Sequence, residues 1–136
     1  MNINDILTAE NIPEINTLSP LTLAFLGDSV YEMFIRTKIL GMGNRPASQL
    51  HKIAVGYVKA KAQATAAHKI LEFLTDEETE IYKRGRNTNI HTVPKNADMA
   101  DYRHATALEA LIGYLYLKGD KARLEEILNI AFETLR

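Results

Sequence analysis

Two acids stand out because of what surrounds them. Asp28 lies in the stretch Leu23-Ala24-Phe25-Leu26-Gly27-Asp28-Ser29-Val30-Tyr31-Glu32, and Glu109 in Thr106-Ala107-Leu108-Glu109-Ala110-Leu111-Ile112-Gly113-Tyr114. Both stretches read as helices that are apolar on nearly every side, with an acid at mid-length. A carboxylate in such surroundings loses hydration, which is costly unless a basic side chain, backbone donors or a metal ion compensates. Asp28 is therefore expected to be half-buried. Glu32 lies one helical turn beyond it and can face the same way. If the two helices pack together, Asp28 and Glu109 meet at one divalent cation.

The chemistry open to such a pair is phosphodiester hydrolysis. That reaction needs an activated water and neutralisation of charge on the phosphate and the leaving oxygen. Mg²⁺ held by oxygen ligands provides both, and it typically keeps several waters while using only one or two carboxylates. Asp28 and Glu109 are the candidate catalytic residues and Mg²⁺ ligands, with Glu32 in reserve. A lone acid in an amphipathic helix is ordinarily a surface carboxylate paired with Lys or Arg, and two acids in two nearly all-apolar helices weaken that plainer reading. His51, His68, His91 and His104 are not at metal-ligand spacings and receive no catalytic role. Ser29 has no evident base, which leaves it as a hydrogen-bond donor.

The elements that must position these residues are helical. Ser19-Pro20 opens a helix, Ser19 as N-cap and Pro20 in the first turn, that should run to about Leu40 and stop at Gly41-Met42-Gly43-Asn44. Pro46 starts the next, with Leu50, Ile53, Ala54, Tyr57 and Val58 at a 3.6-residue period. Helix continues over 59–74, either unbroken or interrupted near Gly56, with Ala60, Ala64, Ala67, Ile70, Leu71 and Leu74 as its apolar stripe. Lys59, Lys61, Gln63 and Lys69 form its polar face.

Thr75-Asp76-Glu77-Glu78 is a capping box, and the helix it opens ends in Lys83-Arg84-Gly85-Arg86, basic residues at the negative end of the dipole. Residues 87–97 read as a loop. Two last helices follow, from about Asp98 to Lys118 and from Lys121 to Leu135, with Gly119-Asp120 between them. A short helix is read over 4–10. No stretch alternates with period two, so the fold expected is an all-α bundle forming a single domain over residues 1–136.

Composition narrows the classes. With 46% apolar and 24% charged residues the chain suits a folded globular protein. It has no cysteine, which excludes disulfides and thiolate metal sites. No apolar run approaches the roughly 20 residues of a membrane span, and the start lacks signal-peptide character. A cytoplasmic protein without membrane association is expected. The net charge of −1 hides a segregation. No acid occurs between Glu32 and Glu72, an interval that holds Arg36, Lys38, Arg45, Lys52, Lys59, Lys61 and Lys69. A second acid-free interval contains Lys83, Arg84, Arg86 and Lys95. Such faces suit a polyanion. Few aromatic residues interleave with them, which favours an A-form duplex read by shape and backbone over a stacked single strand.

Phe25-Leu26-Gly27-Asp28-Ser29-Val30-x-Glu32 resembles the signature helix of the ribonuclease III catalytic domain. Glu109-Ala110-Leu111-Ile112-Gly113-x-Leu115-Tyr116-Leu117 resembles its second acidic helix, about 80 residues on. The family usually carries further acids where Leu21, Ala24 and Thr106 stand here. These replacements, together with Lys83-Arg84-Gly85-Arg86-Asn87 and Pro94-Lys95-Asn96, resemble Mini-ribonuclease III. That is the compact bacterial branch of the family with no double-stranded-RNA-binding domain, and no such domain is expected here.

The resemblance implies a ribonuclease III endonuclease-domain-like helical bundle that cleaves double-stranded RNA. It implies a homodimer with signature helices packed across a two-fold axis. It also implies maturation of the large-subunit (23S) ribosomal RNA precursor, with a ribosomal protein presenting the substrate. Position by position, Asp28 and Glu109 become the Mg²⁺-holding pair and Glu32 a helper. Arg84, Arg86, Asn87, Lys95 and Asn96 become RNA contacts. The competing class is a non-catalytic RNA-binding or ribosome-associated module on the same fold, suggested by the replacements at Leu21, Ala24 and Thr106.

Overall fold

A computed structural model of the chain describes residues 11–89, 95 and 97–136. The helix read over 4–10 and most of the loop read over 87–97 lie outside the described residues. Six α-helices are formed among the residues described: α1 (Pro20–Leu40), α2 (Ala47–Val58), α3 (Ala60–Ile70), α4 (Asp76–Arg86), α5 (Met99–Lys118) and α6 (Lys121–Leu135). Among the described residues there is no strand and no helix long and apolar enough to cross a membrane. The chain is all-α, as its periodicity and its resemblance both imply.

The helix ends follow from local chemistry. Ser19 Oγ accepts the Thr22 amide at 3.2 Å, with Pro20 in the first turn. The capping box is complete: Thr75 Oγ1 accepts from Glu78 N at 3.2 Å, and Glu78 Oε1 accepts from Thr75 N at 3.0 Å. Asp98 caps α5 through the Asp101 amide. Gly119 closes α5 with φ of +80°, a left-handed conformation that a glycine adopts without strain, and Asp120 then caps α6.

The core is organised around α5, which packs against α1, α3, α4 and α6. A helix enclosed on all sides must be apolar on all sides, and α5 is: from Ala105 to Leu115 every residue but Glu109 is buried. Its neighbours come close because small residues meet there. A Cβ added at Gly85 of α4 would stand 2.9 Å from Ala107 Cα and 3.1 Å from Ala110 Cβ.

The closest approach is between α1 and α5. A Cβ on Gly27 would overlap the Glu109 carbonyl, and one on Gly113 would overlap the Leu23 carbonyl. Here the two helices cross backbone to backbone, closer than facing side chains ordinarily allow.

Two readings of the middle of the chain change. The break between α2 and α3 falls at Lys59, which is extended (φ −62°, ψ 153°), and not at Gly56. Gln63, assigned to the polar face with Lys59, Lys61 and Lys69, is turned inward and only 3% exposed. The α3 helix carries alanines on several sides, so its apolar stripe is wide enough to include position 63 beside Ala67 and Ile70.

Candidate active site

The glycine crossing places Asp28 of α1 against Glu109 of α5. Asp28 follows Gly27 directly, Glu109 precedes Gly113 by one turn, and the two carboxyl groups lie in contact. Burial, chiefly, pushes the Glu109 carboxyl up to about 8, and the contact and charge of Asp28 push in the same direction. The Gln63 amide beside it opposes the rise. Two carboxylates in contact cannot both ionise cheaply, and without a cation the Glu109 carboxyl is the one that holds a proton at neutral pH.

Among the described residues the surroundings supply no substitute for that cation. None of the ion pairs formed among the described residues involves Asp28 or Glu109. Arg103, the base nearest to Glu109 in sequence, instead donates from Nη1 to the Arg86 carbonyl at 3.4 Å. An all-oxygen, two-carboxylate set fits Mg²⁺ or Mn²⁺, with water completing the shell. Among the described residues no group of three or more acids or histidines could hold a metal, so the protein's share would come from this pair.

Asp28 is exposed and not half-buried, whereas Glu109 is the member that has lost water. Leu21, Phe25 and Met33 look like a wall around Asp28 in the sequence, but they are themselves 43%, 81% and 49% exposed. Glu32 is half-buried and pairs along its own helix with Arg36 at 3.3 Å. The structure does not bring it into the Asp28–Glu109 contact. Ser29 is exposed and lines an apolar groove of about 780 Å³ beside α1, with Val30, Met33 and Leu115 among its walls.

The basic residues sit where α4 ends and along α3. Lys83, Arg84 and Asn87 are exposed, and Arg86 is half-buried, its Nε donating to Asn87 Oδ1 at 3.2 Å. Lys95 is exposed, while Asn96 lies outside the described residues. Lys59 and Lys61 face solvent at the start of α3. Two of the histidines, His68 and His104, are engaged elsewhere. The rings of His68 and His104 lie 4.5 Å apart, and His104 Nδ1 shares a 2.5 Å hydrogen bond with the buried Tyr82 hydroxyl. His51 is exposed on α2.

Two residues near the pair escaped the sequence reading. Tyr31, fully buried one turn after Asp28, donates its hydroxyl to the Tyr57 carbonyl at 3.3 Å. Burial drives its phenol above the usual range, with Tyr57 and Glu109 adding to the rise. Gln63 is the other. Its one sequence signal is a long uncharged polar side chain inside the run Ala60 to Ala67.

The description "Ribonuclease III domain" fits residues 21–120 of the chain. Among curated proteins, the chain is 47% identical over 131 residues to Mini-ribonuclease 3 of Thermoanaerobacter sp. (strain X514), covering 96% of this chain and 90% of that one. It is 50% identical over 117 residues to Mini-ribonuclease 3 of Brevibacillus brevis, covering 86% and 87%. A crystal structure of a Fusobacterium nucleatum protein superposes with a TM-score of 0.80 at 37% identity, covering 90% of this chain and 98% of that one.

Proposed function

Since the chain belongs to the ribonuclease III family of endoribonucleases, we propose that it cuts double-stranded RNA with Mg²⁺ held by Asp28 and Glu109. The observation that carries this reading is the contact of those two carboxyl groups at the Gly27–Gly113 crossing, with no ion pair to either among the described residues. Bound there, the ion supplies activation of the attacking water and neutralisation of charge at the phosphate. The chain supplies the rest. Glu109 gives one carboxylate on a fixed, buried backbone, and Asp28 gives another that faces solvent, where a phosphate can reach it. Arg84, Arg86, Asn87, Lys95 and Asn96, with the lysines of α3, seat the duplex by its phosphates without reading sequence.

A homodimer suits this reading. Leu21, Phe25 and Met33 leave a large apolar strip of α1 uncovered in the single chain, beside the groove lined by Val30 and Leu115. A strip and groove on one helix can bury each other across a two-fold axis, which would double the basic surface along one duplex. From the family resemblance we infer as natural substrate the 23S ribosomal RNA precursor in the cytoplasm, presented by a ribosomal protein.

The test is cleavage of a long labelled RNA duplex in Mg²⁺ and in EDTA, beside a single-stranded control. Duplex-only cutting that EDTA abolishes, and that Asp28→Asn lowers by at least about a hundredfold while duplex binding persists, is the expected result. Binding without cutting by the wild type would favour the non-catalytic module, and normal cutting by Asp28→Asn would refute the metal assignment.

A further inference from the structure

The turn from α2 into α3 contains neither glycine nor proline. Val58 ends α2, Ala60 begins α3, and Lys59 alone is extended between them. A break of this kind leaves carbonyls at the end of α2 without helical partners. Gln63, on the first turn of α3, takes one of them: its Nε2 donates to the Val58 carbonyl at 2.8 Å. This contact fixes which way the amide points, because the flipped amide would set two oxygens against each other. The side chain is 3% exposed, and its amide also lies beside the Glu109 carboxyl of α5, where it favours the ionised form. Its Oε1 is buried with no hydrogen-bond partner among the described residues. An apolar side chain of the same length would avoid burying that unpaired oxygen, so packing alone does not explain an amide here. What the amide does, and an apolar chain would not, is join Glu109 to the α2–α3 break.

We propose that Gln63 is a positioning residue for the metal site, a strut that holds the Glu109 carboxylate toward Asp28 by anchoring it to the Val58 carbonyl. The inference rests on the reading of Asp28 and Glu109 as the metal-holding pair. Ligating groups depend on outer hydrogen bonds for their orientation, and loss of such a bond typically lowers metal affinity or activity 10- to 100-fold. The strut also ties the site to the surface it serves. Lys59, at the break itself, and Lys61, one residue into α3, are exposed, so a duplex seated on them rests on the same backbone that fixes Glu109.

The experiment compares wild type with Gln63→Met, which keeps length and packing volume and removes both the Val58 hydrogen bond and the amide beside Glu109. Mn²⁺ affinity of the protein without RNA is read from the free-ion paramagnetic resonance signal, and kcat and KM are read separately on a long RNA duplex. The expected result is Mn²⁺ affinity at least about tenfold weaker and kcat lowered in parallel, with KM for the duplex unchanged. Should Gln63→Met not fold, Gln63→Asn takes its place, since it keeps the amide but is one methylene too short to span Val58 and Glu109. Mn²⁺ affinity and kcat within twofold of wild type would overturn the proposal and leave Gln63 as a cap for Val58 only. Failure of the wild type itself to bind Mn²⁺ would overturn the metal reading of Asp28 and Glu109, and this inference with it.

Discussion

Gly27 stands so close to Glu109 that a methyl group on its Cα would overlap the Glu109 carbonyl. The close crossing of α1 and α5 at this point is also what sets Asp28 beside Glu109. Gly27→Ala forces two backbones apart in the middle of the core, where a flexible side chain cannot yield in their place. A loss of at least roughly 3 kcal/mol is expected, with loss of cleavage in whatever folded fraction remains. Denaturant titration measures the first, and a variant as stable as wild type would mean that the helices separate at little cost.

Glu109 predicts a pH dependence with a definite sign. Its carboxyl is raised from 4.5 to about 8 in the folded, metal-free chain. The folded state therefore binds a proton that the unfolded state releases. The stability this confers is full below pH 4.5 and is lost as pH rises through 8, by an amount on the order of a few kcal/mol. Glu109→Gln removes the dependence, since an amide does not titrate. Subtracting the variant's stability profile from that of the wild type, both in EDTA, isolates the effect from other groups. A flat difference curve between pH 4.5 and 8 would show that Glu109 does not hold a proton in the folded chain.

Much of this architecture could be read from the residues, and the exceptions share a cause. Ser19, Thr75 and Gly119-Asp120 mark helix ends through contacts within three or four positions, so local sequence suffices. The two acids were legible because each interrupts an apolar run. Burial is different, because it depends on what a neighbouring element covers. Leu21, Phe25 and Met33 have core-like side chains but lie on a face of α1 that no described helix covers, so Asp28 is exposed. Gln63 sits in an alanine-rich helix where polar and apolar faces contrast weakly. The break at Lys59 is supported by a side-chain contact from Gln63 and has no breaker residue to announce it.

Glu78 and Arg123, 45 residues apart, form another contact that local sequence does not signal. Arg123 donates from Nε at 2.8 Å and from Nη2 at 2.7 Å to the two Glu78 oxygens, and Nη2 also reaches the Phe73 carbonyl at 2.7 Å. Glu78 is 6% exposed. The Arg123 hydrogen bonds, chiefly, hold its carboxyl below the usual glutamate range despite burial. Arg123→Ala leaves that charge buried with Thr75 as its remaining partner among the described residues and is expected to cost about 3 kcal/mol. A depressed carboxyl contributes stability above its unfolded pKa and loses it as pH falls through the folded one. The variant should accordingly lose less stability than wild type on acidification below about pH 4.5. Thermal unfolding at neutral and acid pH measures both effects. An unchanged acid response would mean that the pair does not set the Glu78 charge.

On the proposed function, Arg84 is a phosphate contact for the duplex. It is exposed near the end of α4, and its neighbour Arg86 is partly engaged with Asn87. A phosphate contact from Arg84 contributes a released counterion and no sequence information. Arg84→Ala should therefore weaken binding to unrelated duplexes by a similar factor and reduce the slope of log affinity against log salt by about one. Arg86→Ala should do the same to binding and, by removing the bond to Asn87, also loosen the end of α4. Its thermal stability should fall while that of Arg84→Ala does not. Affinity for three duplexes of different sequence, each at four salt concentrations, is the measurement. A change in sequence preference, or a salt slope unmoved by Arg84→Ala, would contradict the backbone contact.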